Sequence, residues 1–242
     1  MLHGVGAHAA YFRWAFHTLG QTHRVIPWNA PGYWLTDNLA THTPNDQDYA
    51  HAVADFLDAL GLDRVVLTGN SFGSAVAQAF AIHCPQRVSH LILTGTGVGQ
   101  QQLSATRREA FEARLRRALQ GAYQYGDAGV DHLVGAATPP QIRQCMVDMS
   151  RGIQLEGLRR AVAFRLSDFY SPAHAHAMTM PVLMLQGEQD RVNPREENAD
   201  LLLPHLANGK LDILPGIGHL PEVEAPELFA QKVLDFVSLN RS

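Results

Sequence analysis

Gly69-Asn70-Ser71-Phe72-Gly73 places a hydroxyl nucleophile between two glycines, where the apolar run Val65-Val66-Leu67 gives way to a helix-period segment from Ala75. A strand that turns directly into a helix forces the apex residue into a strained conformation, and small residues two positions either side let the two elements cross closely. Ser71 is then exposed above a sheet, with the amide dipoles of a helix N-terminus aimed at the reacting centre. A serine is a weak nucleophile at neutral pH and needs a base, which in turn needs an orienting acid.

Of the 13 histidines, His219 stands in a glycine-rich loop, Pro215-Gly216-Ile217-Gly218-His219-Leu220-Pro221-Glu222, between the last apolar run and the last helical segment. Asp190 lies in Gly187-Glu188-Gln189-Asp190-Arg191-Val192-Asn193-Pro194, again just beyond an apolar run. An Asx-type turn before Pro194 would also use an aspartate there, but its place at a strand end favours the role of orienting His219. Glu188 is the rival acid, two residues closer to the strand. The oxyanion of an acyl-transfer step needs two N–H donors. Phe72, directly after the nucleophile, is one, and Val5 in His3-Gly4-Val5-Gly6-Ala7-His8 is the other, with Gly6 as its alternative and His3 as a brace for that loop.

These residues require an alternating scaffold. Short apolar runs at His23-Val25-Ile26-Trp28, Val65-Val66-Leu67, Val88-Leu91-Ile92-Leu93, Val182 to Leu185 and Leu211-Ile213-Leu214 predict strands buried on both faces. Helical periods over about 8–19, 46–60, 73–83, 195–205 and 225–238 alternate with them, as in a doubly wound, mostly parallel α/β sheet. From 98 to 176 the strand signal vanishes and helices take over, so residues 1–97 and 177–242 are expected to form the core and 98–176 a helical cap over the C-terminal ends of the strands.

Composition narrows the partners. A net charge of -4 and a pI near 6.3 provide no extended positive field, which argues against nucleic acid or an anionic membrane and leaves small molecules. No apolar run reaches membrane-spanning length. Cys84 and Cys145 suggest no disulfide framework, and a cytoplasmic location fits. His174-Ala175-His176 lacks nearby ligands at metal spacing, Gly4-Val5-Gly6 is too short for a nucleotide loop, and neither metal nor cofactor is expected. Arg107, Arg108, Arg114, Arg116 and Arg117 read as a solvated face paired with Glu109 and Glu112. An inward arginine among Arg143, Arg151, Arg159, Arg160 and Arg165 would favour a carboxylate-bearing substrate.

In this order, His3-Gly4, Pro31-Gly32-Tyr33, Gly69 to Gly73, Gly187 to Asp190 and Gly218-His219 make the chain resemble the α/β-hydrolase superfamily in its cap-bearing branch. The resemblance implies serine-dependent hydrolysis of a small ester or lactone through an acyl-enzyme. The branch also holds carbon-carbon hydrolases of meta-cleavage products, perhydrolases, hydroxynitrile lyases and receptors that retain the triad. Asn70 is similar to the carbon-carbon hydrolases. Leu220, where those tend to carry tryptophan, and the segment His219 to Glu222 look more like esterases and lactonases. Trp34 replaces a usual glycine and is expected either to narrow the pocket mouth or to pack under the cap, Asn29 replaces an aspartate, and Ser74 replaces a glycine. Members of this branch carry strands ahead of the His3-Gly4 motif, so the start is expected to be truncated or misassigned.

Overall fold

The computed structural model describes residues 1–117, 120, 127–150 and 153–240. Four parallel strands, β1 (Val65–Asn70), β2 (Val88–Thr94), β3 (Val182–Gly187) and β4 (Gly209–Leu214), lie side by side in that order. In chain order the α-helices are α1 (Phe16–Leu19), α2 (Asp46–Ala59), α3 (Phe72–His83), α4 (Ala105–Arg117), α5 (Asp127–Leu133), α6 (Pro140–Ser150), α7 (Leu155–Arg165), α8 (Ala199–Leu202), α9 (Pro221–Glu224) and α10 (Pro226–Leu239). Helices α4 to α7 all fall between β2 and β3.

The two-residue period of the strands divides the core. Leu91 and Leu93 of β2, with Val182 and Met184 of β3, pack into one cluster with Val76 and Phe80 of α3. Ile92, Leu183 and Leu185 point the other way, to Phe229, Ala230 and Val233 of α10. Consecutive apolar residues are thereby used on both faces, as a parallel sheet covered on two sides requires. A third cluster joins Tyr11 and Phe12 to Val130, Leu133, Met146 and Met149 of α5 and α6 and to Leu220 and Val223.

Three expected elements differ. The run His23 to Trp28 is not a strand: Met1 N donates to Ile26 O at 2.8 Å and Trp28 N to Met1 O at 3.1 Å. On its other side the neighbouring segment contributes only the bridge Leu2–Gly69, too short to build a ladder. The helix expected over 195–205 is broken into a 3-10 turn at Arg195–Glu197, α8, and a second 3-10 turn at Leu203–His205, where Pro204 has no N–H to continue the pattern. The helix expected over 8–19 is a 3-10 segment, Ala9–Ala15, followed by α1.

Candidate active site

The turn from β1 into α3 holds Ser71 at φ 53°, ψ -112°, one of two non-glycine residues at positive φ among the described residues. Backbone crowding explains both flanking glycines. A Cβ on Gly69 would lie 2.2 Å from Gly73 O, and one on Gly73 2.2 Å from Leu2 O. Ser71 O accepts from Ser74 Oγ at 2.6 Å, and Ser74 Oγ accepts from Gly97 N at 3.0 Å, so the serine that replaces a family glycine ties the turn to the loop after β2.

The loops after β3 and β4 bring Asp190 to His219. Asp190 Oδ2 accepts from His219 Nδ1 at 2.8 Å, which leaves Nε2 as the nitrogen able to take a proton. Asp190 Oδ1 accepts from the N–H groups of Val192 and Asn193, both at 2.9 Å, and Gln186 Nε2 donates to Oδ2 at 3.2 Å. Burial pushes the Asp190 carboxyl up, but the charge and hydrogen bond of His219 and the two amides outweigh it and hold the group below the ordinary carboxylate value. His219 is only 2% exposed. Its N–H donates to Leu133 O at 2.7 Å, which joins the α5 end to the histidine loop.

Ser71 stands at the end of β1, with β2 between it and β3. Its N–H donates to Thr94 O at 3.0 Å, while its hydroxyl makes no hydrogen bond among the described residues. Two contacts connect it to the histidine. Asn70 Nδ2 donates to His219 O at 3.1 Å, and Gly95, one residue beyond Thr94, abuts the imidazole so closely that a Cβ there would sit 2.6 Å from Cε1. Catalytic hydrogen bonds commonly close only when substrate is bound.

The expected oxyanion donors flank the serine. Phe72 opens α3 with an N–H that meets no acceptor among the described residues. Val5 N is likewise unengaged, and the preceding Gly4 approaches Ser71 so that a Cβ on it would lie 3.3 Å from Ser71 Cβ. Val5 packs against Leu158 and Val162 of α7. His3 braces this loop as expected: its Nδ1 donates to Gly4 O at 2.8 Å, and its Nε2 accepts from Ala30 N at 3.1 Å. Burial pulls its imidazole down to about 4.

The remaining residues expected at the site scatter. Glu188, the rival acid, accepts from Gly216 N at 2.9 Å. Trp34 is 45% exposed, has φ 54° and stacks on His8 with ring centroids 4.7 Å apart. Leu220 is buried in the cluster shared with α5 and α6. Among the described residues no group of three or more His, Cys, Asp or Glu side chains could hold a metal, and no helix is long and apolar enough to cross a membrane. Of the arginines between β2 and β3, Arg160 is spent on Leu39 O, Thr41 O and Glu156, Arg143 on Thr138 O, Gly135 O and Asp131. Arg151 lies outside the described residues.

Two further glutamates, Glu222 and Glu224, stand beside His219 without any role predicted from the sequence. Glu224 accepts from Gly218 N and Leu220 N, on either side of the histidine, and from Gly135 N and Thr138 Oγ1. Glu222, with no exposed surface, accepts from Tyr11 Oη at 3.0 Å and meets Thr94 Oγ1. The one available signal was the repeated glutamate in Pro221-Glu222-Val223-Glu224, which by itself reads as a helix start.

A parallel sheet that delivers a strained serine, an aspartate-held histidine and two open amides at its strand ends defines an α/β hydrolase. The chain belongs to the alpha/beta hydrolase family, whose sequence profile matches residues 1–232. It is 30% identical over 256 residues to 2-hydroxy-6-oxononadienedioate/2-hydroxy-6-oxononatrienedioate hydrolase 1 of Dechloromonas aromatica (strain RCB), an alignment covering 98% of this chain and 86% of that protein. It is 28% identical to hydrolase 2 of the same description from Pseudomonas putida, with the same coverage. Among solved structures it is similar in fold to a thermophilic esterase from Thermogutta terrifontis, with a TM-score of 0.87, 22% identity and coverage of 100% of this chain and 89% of that one. It is also similar to the meta-cleavage product hydrolase of Pseudomonas fluorescens IP01, with a TM-score of 0.78, 18% identity and coverage of 99% and 90%.

Proposed function

We propose that the chain is a serine hydrolase of small carboxylic esters or lactones, with Ser71 as nucleophile, His219 as general base and Asp190 as its orienting acid. The observation that carries this reading is the 2.8 Å Asp190–His219 bond at the ends of β3 and β4, in the same parallel sheet whose β1 ends in a positive-φ serine. Ser71 Oγ attacks the carbonyl carbon while its proton passes to His219 Nε2. The amides of Phe72 and Val5 hold the oxyanion. The imidazolium then returns the proton to the leaving oxygen, and water, deprotonated in turn by His219, releases the acid and restores Ser71. Helices α4 to α7 act as a cap over this end of the sheet, Trp34 and Leu220 as substrate contacts, and the two free cysteines accord with a cytoplasmic location. The reaction requires no cofactor.

The names of the curated relatives favour a second reading, hydrolysis of a carbon-carbon bond in a 2-hydroxy-6-oxo dienedioate by the same residues. Arg165 supports it. This α7 residue is 9% exposed, and its guanidinium lies against Gly97, in the loop that places Gly95 beside His219. An arginine there suits a substrate carboxylate.

The test is the intact mass of the protein after exposure to a fluorophosphonate, with Ser71→Ala alongside, followed by rates on p-nitrophenyl esters, lactones and a ring-fission dienedioate. One adduct, absent from the variant, is expected. No adduct on folded protein would overturn the mechanism and promote a ligand-binding role. Turnover of the dienedioate with none of esters or lactones would select the second reading.

A further inference from the structure

The backbone ladder between β2 and β3 ends at Thr94 and Leu185, short of the loops that carry the proposed site. Gly95 is the first residue past it on one side. Gln186 is the first on the other, where β3 continues through Gly187 with β4 as its pairing partner. Across this opening the proposed nucleophile and base belong to different pairs of strands: Ser71 follows β1, while Asp190 and His219 follow β3 and β4. Asn193 bridges the opening.

This residue is 4% exposed, and its hydrogen bonds go to three different parts of the site. Its N–H donates to Asp190 Oδ1 at 2.9 Å, its carbonyl accepts from Gln186 Nε2 at 3.2 Å, and its side-chain Nδ2 donates to Gly95 O at 2.7 Å. The first two are backbone contacts that any residue other than proline could make. Only the third needs the amide side chain.

The loop that Gly95 begins moves with the serine turn, because it is fastened to that turn at two points. Thr94 O accepts from Ser71 N at 3.0 Å; Gly97 N donates at 3.0 Å to Ser74 Oγ, which donates at 2.6 Å to Ser71 O. Gly95 also abuts the imidazole, so closely that a Cβ on it would stand 2.6 Å from His219 Cε1. Other hydrogen bonds across the opening end on other residues: Val98 N on Asn198 Oδ1 at 3.4 Å, Thr94 Oγ1 on Glu222, and Asn70 Nδ2 on the backbone carbonyl of His219. Gly95, which lies against the ring itself, is held from the acid side by Asn193.

We propose that Asn193 is a positioning residue for the hydrolytic reaction: its side-chain amide ties Gly95 to the Asp190 loop and so fixes how far Ser71 stands from His219. The inference rests on the Ser71, His219 and Asp190 reading above and adds to it the requirement for a donor at position 193. An amide meets that requirement without placing a second charge beside Asp190. Removing the side chain leaves both backbone donors on Asp190 Oδ1 in place, so a substitution here tests the Gly95 bond rather than the acid.

The experiment compares wild type with Asn193→Ala, which deletes the donor, and with Asn193→Leu, which keeps the branched shape and offers no donor. Each protein is followed by the rate of fluorophosphonate labelling at Ser71, by kcat and KM on a p-nitrophenyl ester or dienedioate that wild type turns over, and by the NMR resonance of the His219 Nδ1 proton. Labelling rate and kcat are expected to fall about 10- to 100-fold with KM within about threefold, because a displacement approaching 1 Å costs on the order of 100-fold in rate. The Nδ1 resonance is expected to shift or broaden, a change that a loss of stability alone would not produce in folded protein. Asn193→Leu is expected to be no more active than Asn193→Ala, whereas a packing role would let leucine restore the rate. A folded Asn193→Ala protein that labels and turns over within about twofold of wild type overturns the proposal, and so does an Asn193→Leu protein restored to wild-type rates. Should Asn193→Ala not fold, Asn193→Leu is judged by the same readouts. A wild-type rate in Ser71→Ala would instead overturn the serine mechanism, and the NMR readout, which needs no turnover, keeps the two failures apart.

Discussion

Asn70 reaches across the site to hold the backbone carbonyl of His219, its Nδ2 donating at 3.1 Å over a sequence separation of 149 residues. The residue immediately before Ser71 thus fixes the loop that carries His219. Asn70→Ala removes this bond and the one to Thr94 Oγ1, leaving a buried carbonyl without its donor. A loss of roughly 1–3 kcal/mol in positioning translates to about a 5- to 150-fold fall in kcat/KM. Steady-state kinetics beside a thermal melt check it, and a fall confined to stability would contradict the positioning role.

Gly95 is the tightest constraint on the imidazole. It has φ 47°, and a Cβ would stand 2.6 Å from His219 Cε1 and 2.7 Å from Nδ1. Gly95→Ala must displace the ring or the strand end, and a shift of about 1 Å costs on the order of 100-fold in rate. The expected result is near-complete loss of turnover in a folded protein. Activity within threefold of wild type would show that His219 moves freely.

Ser71 stores strain. Its φ of 53° with ψ -112° is a region open to glycine and costly for other residues. Ser71→Ala keeps the Cβ and the strain, whereas Ser71→Gly relieves it. Chemical denaturation is expected to show Ser71→Gly more stable than Ser71→Ala by about 1 kcal/mol, although glycine loosens the unfolded chain. The reverse order would remove strain from the account of the turn.

His3 sets an acid limit on stability. Burial holds its imidazole at about 4, against 6.5 for the free group. Above pH 6.5 both folded and unfolded states leave it neutral. As pH falls from there the unfolded chain binds a proton that the folded one refuses, so stability declines until about pH 4 by on the order of 3 kcal/mol. The stability difference between wild type and His3→Gln should therefore shrink by that amount between pH 7 and pH 4. A constant difference in urea melts would exclude His3 as its source.

Glu224 binds the α5–α6 connection to the histidine loop through Gly135 N at 2.7 Å, Thr138 Oγ1 at 2.8 Å, Gly218 N at 3.0 Å and Leu220 N at 3.0 Å. Glu224→Gln points an amide at this cluster of donors. A destabilisation of about 2–3 kcal/mol is expected, together with faster hydrogen exchange at Gly218 and Leu220. Unchanged exchange there would show that other contacts hold the loop.

Much of this architecture was legible because it is written in local patterns. Short apolar runs marked β1 to β4, and β2 and β3 proved buried on both faces. Gly69 to Gly73 encoded its own turn, since both glycines answer crowding within a few residues or against the adjacent Leu2. The run His23 to Trp28 misled for the opposite reason: β-rich composition makes a strand only where a neighbour offers a matching edge, and Met1 and Leu2 offer too little. The 195–205 segment had a helical period, but Pro204 divides it.

The Ser71, Asp190 and His219 assignments came from residue type and position after a strand, properties that each segment carries alone. Which aspartate or glutamate meets the histidine, and what holds that histidine in place, came from register. Parallel pairing of β3 with β4 sets the Asp190 and His219 loops side by side, and pairing of β1 with β2 sets Asn70 beside Thr94. Glu188 and Asp190 are two residues apart and chemically alike, yet one reaches Gly216 and the other His219. Glu222 lies 128 residues from Thr94 and 211 from Tyr11, and no linear pattern announces a hydrogen bond across such distances. Local sequence selects conformations a few residues at a time, whereas the burial and partners of a charged side chain are properties of the assembled sheet and the helices packed on it.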